Sequence, residues 1–371
     1  MIERIVVSHH RFGLDPPFPA AWDTQPRRAF PVAVVRVIDD SGAEGLGVGD
    51  PFRGLVDYEH LFIGADPLEL DRHDAVLDNI AFLDGRPWPF EIALWDLAGK
   101  LTHQPIWRML GGQTNTLDLY ASFGTHRSPE RTVEAVEAVV ERGFGAVKLR
   151  FGRPEQSQDL AVLDAVLDAV GDDVAVMVDC NQGWRMPWDT SPPPAFTDVA
   201  ALARELAARS VYWMEEPLHR GDHTGMARLR QEVGIPIAGG EMTRELHEFT
   251  LMLDAGSLDV YQPDAAVTGG IGGLRRVADA VRSAGHTFSP HTWGSGVALL
   301  ANAHLTAGTG GAPFLEYPLD PPEWTEERRD FMLTEPIRCD GRLVLGDNPG
   351  LGVELDLETC RATAVELARY V

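Results

Sequence analysis

Seven ionisable positions close successive apolar runs in the middle of this chain: Lys148 (with Arg150), Asp179, Glu215, Glu241, Asp264, His291 and Glu316. A lone acid at a strand end is ordinarily a helix N-cap. Capping alone does not produce ionisable ends in unbroken succession. Asp179, Glu215 and Glu241 stand on neighbouring runs and form the all-oxygen donor set that Mg²⁺ takes, with positions left open for water or substrate. Without an ion, three converging anions would repel and raise one another's pKa. In MEEP, strand alternation turns only one of Glu215 and Glu216 inward, and Glu215 is the choice.

Asp264 and His291 sit on consecutive runs. A carboxylate that accepts from one imidazole nitrogen fixes the tautomer and leaves the other nitrogen free as a base. The chain has 32 basic residues, yet Lys100 and Lys148 are its only lysines. A position that kept lysine in so arginine-biased a sequence points to chemistry that a permanently protonated guanidinium cannot do. Asn181, Trp184 and Trp293 follow these ends closely, beside the metal ligands or the substrate.

These ends must be carried to one place by a scaffold. Between about 118 and 316, eight short apolar runs alternate with segments of helical periodicity. In SPERTVEAVEAVVERGFG, Val133, Val136, Val139 and Val140 line one face, Ser128 is the N-cap and Gly143 the C-cap. Alternation of this kind predicts a parallel α/β barrel, whose strand ends share one face. Residues 1–117 read as an α+β unit: strands at IERIVVSHH, FPVAVVRVIDD and GLGVGDPF, a hairpin turn at DDSGAEG, and helices around 67–80 and 87–109. After about 331 a short strand, GRLVLGD, precedes a helix expected over LETCRATAVELARYV. GLGVGD lies on a hairpin strand and is no dinucleotide fingerprint. GGIGG (269–273) enters a helix and reads as a loop bringing backbone close to a ligand. MPWDTSPPPAF (186–196) is a long loop insertion.

The net charge of −24 disfavours nucleic acid and anionic membranes as partners. No window approaches the ~18 apolar residues of a membrane span. The start, MIERIVVSHH, lacks the apolar stretch of a signal peptide, and the three cysteines (Cys180, Cys339, Cys360) have no metal or redox spacing. A cytoplasmic location is the expectation.

VKLRFG, VMVDCNQGW, WMEEPL, GGEM, QPDAAVTGG, SPHTWGSG and FLEYPLD, in this order, together with FEIALWDLAGKLTHQPIWRMLGG, resemble the enolase superfamily, in particular its mandelate racemase-like group. The resemblance spans nearly the whole chain. It implies a modified TIM barrel, (β/α)₇β, over 118–330, with a capping domain made by 1–117 and the C-terminal segment 331–371, whose cap loop around LDPPFPAAWDTQ (14–25) closes over the ligand. It implies one Mg²⁺ per subunit on Asp179, Glu215 and Glu241, with Asn181 nearby. His291, paired with Asp264, would move a proton on one face of a small carboxylate substrate, and Glu316 would meet the substrate carboxylate as a protonated acid. Proton abstraction alpha to a carboxylate, with Mg²⁺ against the developing charge, is the reaction for which this superfamily is the standing example. A homo-oligomer is expected by the same analogy.

The sequence departs from the racemase pattern at one point. Lys-x-Lys on the second barrel strand is here Lys148-Leu149-Arg150, and arginine is a poor base. One histidine base facing a cationic wall favours β-elimination from an acid sugar or its lactone, by a dehydratase or cycloisomerase, with Arg150 orienting a distal group. The alternatives are a racemase or epimerase of a 2-hydroxy acid, in which Lys148 serves as second base, and a non-catalytic binding protein on the same barrel.

Overall fold

The computed structural model describes residues 1–371. Three antiparallel strands, β1 (Ile2–Phe18), β2 (Arg27–Asp39) and β3 (Glu44–Gly49), open the chain. Helices α1 (Leu70–Asp84), α2 (Trp88–Thr102) and α3 (Ile106–Met109) follow. Alternate residues of β1 and β2, among them Ile5, Val7, Val35 and Val37, bury one sheet face against Leu77, Phe90, Leu94 and Leu97 of the helices. The glycines of GLGVGD now have a reason. A Cβ on Gly45 or Gly47 would lie 2.0 Å from the Ala93 carbonyl or 1.8 Å from that of Pro89, so α2 could not rest on β3.

Eight parallel strands then alternate with seven helices. The strands are β4 (Thr116–Ser122), β5 (Ala146–Arg150), β6 (Ala175–Asp179), β7 (Met214–Glu215), β8 (Ile237–Gly239), β9 (Val260–Tyr261), β10 (Thr287–Phe288) and β11 (Leu315–Pro318). The helices between them are α4 (Pro129–Glu141), α5 (Gln156–Val170), α6 (Phe196–Ala208), α7 (His223–Glu232), α8 (Leu246–Ala255), α9 (Gly270–Ser283) and α10 (Gly296–Gly308). Ser128 caps α4 by accepting from Arg131 N, and Gly143 turns the chain beyond it with φ +86°. The sheet order is β10-β9-β8-β7-β6-β5-β4-β11, the (β/α)₇β arrangement expected. No ladder joins β10 to β11. Side chains cross that seam instead: Ser289 Oγ donates to Phe314 O (2.8 Å), while Thr292 donates from N to Glu316 Oε2 (2.7 Å) and from Oγ1 to Glu316 O (2.9 Å).

Three expectations need correction. The C-terminal helix is short. After α11 (Glu326–Arg329) and β12 (Arg342–Val344), α12 (Leu357–Thr363) gives way to a strand, β13 (Ala364–Tyr370), antiparallel to β1. Helix-favouring residues are overridden there because the open edge of β1 needs partners for its N–H and C=O groups. The GGIGG backbone does not line the cavity described below: Ile271 N and Gly272 N donate to the Glu91 carboxylate of α2 at 2.9 and 2.8 Å, so the glycines admit a buried acid of the protein itself. Residues 14–18, expected in a cap loop, are the end of β1. The insertion at 186–196 is irregular up to the start of α6 at Phe196, as expected.

Candidate active site

Strand pairing sets the site. On β5, Lys148 and Arg150 are two residues apart and share the inner face, while Leu149 packs outward in the core. Register places Arg150 beside Asp179, and Asp179 beside Glu215. Glu241 lies two residues past β8, after Gly240 at φ +111°. Asp264 and His291 lie three residues beyond their strands because Pro263 and Pro290 interrupt the ladders. His291 N still donates to Pro263 O at 3.1 Å.

Carboxylate oxygens of Asp179, Glu215 and Glu241 all lie within 4.8 Å of one another, and the three residues are buried. Burial pushes the Asp179 and Glu215 carboxyls above their ordinary range, with Lys148 and Arg150 opposing. A hard divalent cation fits this donor set. Trp184 Nε1 donates to Glu241 Oε1 (2.7 Å), and Asn181, at φ +47°, donates to both oxygens of Asp179. Glu216 turns away into a small cleft against Gly183, its carboxylate without a hydrogen-bond partner.

Lys148 is wholly buried behind the acids, 2.7 Å from Glu215 Oε1, 2.8 Å from Glu316 Oε1 and 3.8 Å from Asp179 Oδ2. Burial works against its charge, but Glu215 and Glu316 more than offset this and hold the ammonium well above its usual value. Burial alone would raise the Glu316 carboxyl, yet Lys148, His291 and Arg150 bring it below its ordinary range.

His291 Nδ1 lies 2.9 Å from Asp264 Oδ2, and Asn302 Nδ2 donates to the other Asp264 oxygen at 2.9 Å. His291 Nε2 faces Glu241 Oε2 at 3.6 Å. Burial lowers the imidazole, but Glu241, Glu316 and Asp264 more than reverse this, to about 10. Glu241 belongs to the acidic triad, so metal binding and loss of the His291 proton are linked. Arg150 pairs with Asp179 and donates from Nε to Phe123 O (2.7 Å) and from Nη2 to Ser122 Oγ (3.2 Å). Its guanidinium lies 4.8 Å from the Trp22 ring centroid and 5.6 Å from that of Trp293. Trp293 Nε1 also donates to Ser122 (2.9 Å). Ser122, at the end of the first barrel strand, and Asn302, in the middle of α10, escaped the sequence reading. The first had the same strand-end signal as the others; the second had none.

Arg150, Glu241, Asp264 and His291 open on a cavity of about 280 Å³, roofed by Leu14, Phe18, Trp22 and Phe30 of the N-terminal sheet and loop. The family model for enolase C-terminal domain-like proteins matches residues 131–359. D-galactarolactone cycloisomerase of Agrobacterium fabrum is 30% identical, covering 92% of this chain and 93% of the relative. The chain belongs to the enolase superfamily, in its mandelate racemase-like group. L-talarate/galactarate dehydratase of Salmonella typhimurium is 28% identical to it over 90% of this chain and 82% of that one. A crystal structure of a racemase from Streptomyces coelicolor with bound magnesium superposes at a TM-score of 0.84, with 26% identity, covering 98% of this chain and 100% of that one. This member of the superfamily is an enzyme of the lyase and isomerase kind, and magnesium is the cofactor that its buried triad fits. No helix is long and apolar enough to cross a membrane.

Proposed function

We propose that this superfamily member removes the proton alpha to the carboxylate of an acid sugar or its lactone and then expels a β-oxygen, as a dehydratase or cycloisomerase. The observation that carries the reading is the asymmetry of the cavity: the His291–Asp264 pair stands on one side, Arg150 on the other, and Lys148 lies outside it, ion-paired with Glu215 and Glu316. Asp179, Glu215 and Glu241 would hold Mg²⁺, which when bound supplies positive charge against the substrate carboxylate as the proton leaves. His291 Nε2 takes the proton, while Asp264 accepts from Nδ1 and fixes the ring. Electrons from the C–H bond form a C=C bond as the C–O bond breaks, and the imidazolium returns its proton to the departing oxygen. Arg150 keeps the opposite wall cationic, and Lys148, held behind the acids, offers no second base. The division into a cap (1–117), a barrel (118–330) and a returning segment (331–371) belongs to the same reading.

His291→Asn should lower kcat by roughly 10²–10⁴-fold while Mg²⁺ still binds and the circular dichroism spectrum stays unchanged. Full activity in that variant removes His291 as the base. Turnover in D₂O separates the outcomes: a 2-keto-3-deoxy or ring-opened product supports elimination, whereas deuterium in recovered, inverted substrate marks racemisation.

A further inference from the structure

Two buried donors in the wall of the cavity have no partner. Trp324 is 2% exposed, and its indole N–H makes no hydrogen bond. Arg27 opens β2, and its Nε is buried and likewise unbonded. Both residues line the cavity that Arg150, Glu241 and His291 enter from the barrel. A buried N–H without an acceptor is costly, and two such groups on one cavity point to a ligand that supplies the acceptors.

The rest of the Arg27 guanidinium is thinly used. Nη2 donates to the Met186 thioether at 3.6 Å, and a thioether is a weak acceptor. Nε lies 3.4 Å from Asp23 Oδ2, close enough for the charges to attract but without hydrogen-bond geometry. Asp23 is already engaged, because its Oδ1 accepts from Trp188 Nε1 and from Gln25 N, each at 2.9 Å. Asp50, a further acid of the lining, is paired with Arg86 at 3.0 Å.

Both donors are also held in place. Trp324 exchanges two backbone hydrogen bonds with Asp320, at 2.7 and 2.8 Å, and its ring packs 5.2 Å from that of Phe18 and 5.6 Å from that of Phe30. Arg27 pairs with Phe18 across β1 and β2. Fixed donors discriminate sharply, since a ligand that lacks the acceptor leaves them unmet.

We propose that Arg27 and Trp324 determine specificity by donating to an oxygen acceptor on the end of the substrate turned towards the cap, away from the carboxylate that would meet the metal. Neither side chain can accept, so the group they read is a carboxylate or hydroxyl oxygen. An alkyl end would leave both N–H groups buried and unpaired. This rests on the acid-sugar reading above and names the residues that read the second end of that acid.

The test is kcat/KM of the Mg²⁺-loaded enzyme on six-carbon acids matched in stereochemistry and ending in a carboxylate, a hydroxymethyl or a methyl group. The parent should favour the better oxygen-ended acid over the methyl-ended one by about 10-fold or more, mainly through KM. Arg27→Met should cut that preference about 5-fold or more and Trp324→Phe about 3-fold or more, while Arg27→Lys, which still donates, should keep part of it. Preference for the carboxylate end over the hydroxymethyl end, lost in Arg27→Met, identifies the acceptor as a carboxylate; the reverse order identifies a hydroxyl. A parent indifferent to the terminal oxygen, or a preference that survives in both Arg27→Met and Trp324→Phe, overturns the inference and leaves the His291 reading standing. Absence of turnover and of α-deuterium exchange with every acid overturns both.

Discussion

At the scale of single residues, Lys148 is the hinge of the electrostatics. It is surrounded by three buried carboxylates and meets Glu215 and Glu316 directly. Lys148→Met would leave those anions without their ammonium. Breaking a buried pair in this way costs about 3–5 kcal/mol. The expected result is a marked fall in Tm for the metal-free protein, of which added Mg²⁺ restores a part, read by calorimetry with and without the ion. A variant as stable as the parent in EDTA would show that the lysine does not compensate the acids. The importance of Lys148 was visible in the sequence as a lysine kept amid arginines. The pairing of Lys148 with Glu316 was not, because it depends on a 2.8 Å contact between residues 168 positions apart. No local pattern encodes a through-space neighbour of that kind.

At the scale of elements, the α9 N-terminus shows how the N-terminal helices are pinned to the barrel. A Cβ on Gly272 would sit 1.9 Å from Asp74 Oδ2 of α1, beside the Glu91 carboxylate. Gly272→Ala should therefore cost about 1–3 kcal/mol through overpacking. Gly234, with nothing within 4 Å of such a Cβ, should change by less than about 0.5 kcal/mol when made alanine. Urea denaturation of the two variants checks the contrast, and equal stabilities would refute the packing argument. The eight strands and seven helices of the barrel were legible because apolar runs and amphipathic segments alternate without interruption. The strand at Ala364–Tyr370 was not, since a sequence rich in helix formers does not announce that the edge of β1, more than 350 residues away in the chain, lacks a partner. The early ends of β9 and β10 were legible in principle, as Pro263 and Pro290 stand just before the candidate site residues Asp264 and His291.

At the scale of the molecule, burial makes part of the fold pH-dependent. His304, on α10, accepts from Trp107 N (3.2 Å) and reaches Leu351 O (3.3 Å). Burial lowers its pKa to about 4. Above ~6.5, the ordinary histidine value, neither state is protonated there. Between about 6.5 and about 4 only the unfolded chain takes up the proton, so stability falls by about 3 kcal/mol in all, and below about 4 no further loss accrues. Denaturation of the parent and His304→Gln at pH 7.5 and 4.5 should show the stability gap between them narrowing at the lower pH. A constant gap would exclude His304 from the acid response.

The unladdered seam between β10 and β11 has a consequence for the chemistry. Asp179 and Glu215 sit on strands locked in register, so their spacing is fixed by a hydrogen-bonded lattice. His291 and Glu316 flank the seam, where a few side-chain bonds take the place of backbone pairing. On the proposed reading, the half of the site that would grip the ion is held by backbone pairing, while the half that would move the proton rests on side-chain bonds alone and can follow ligands of differing girth.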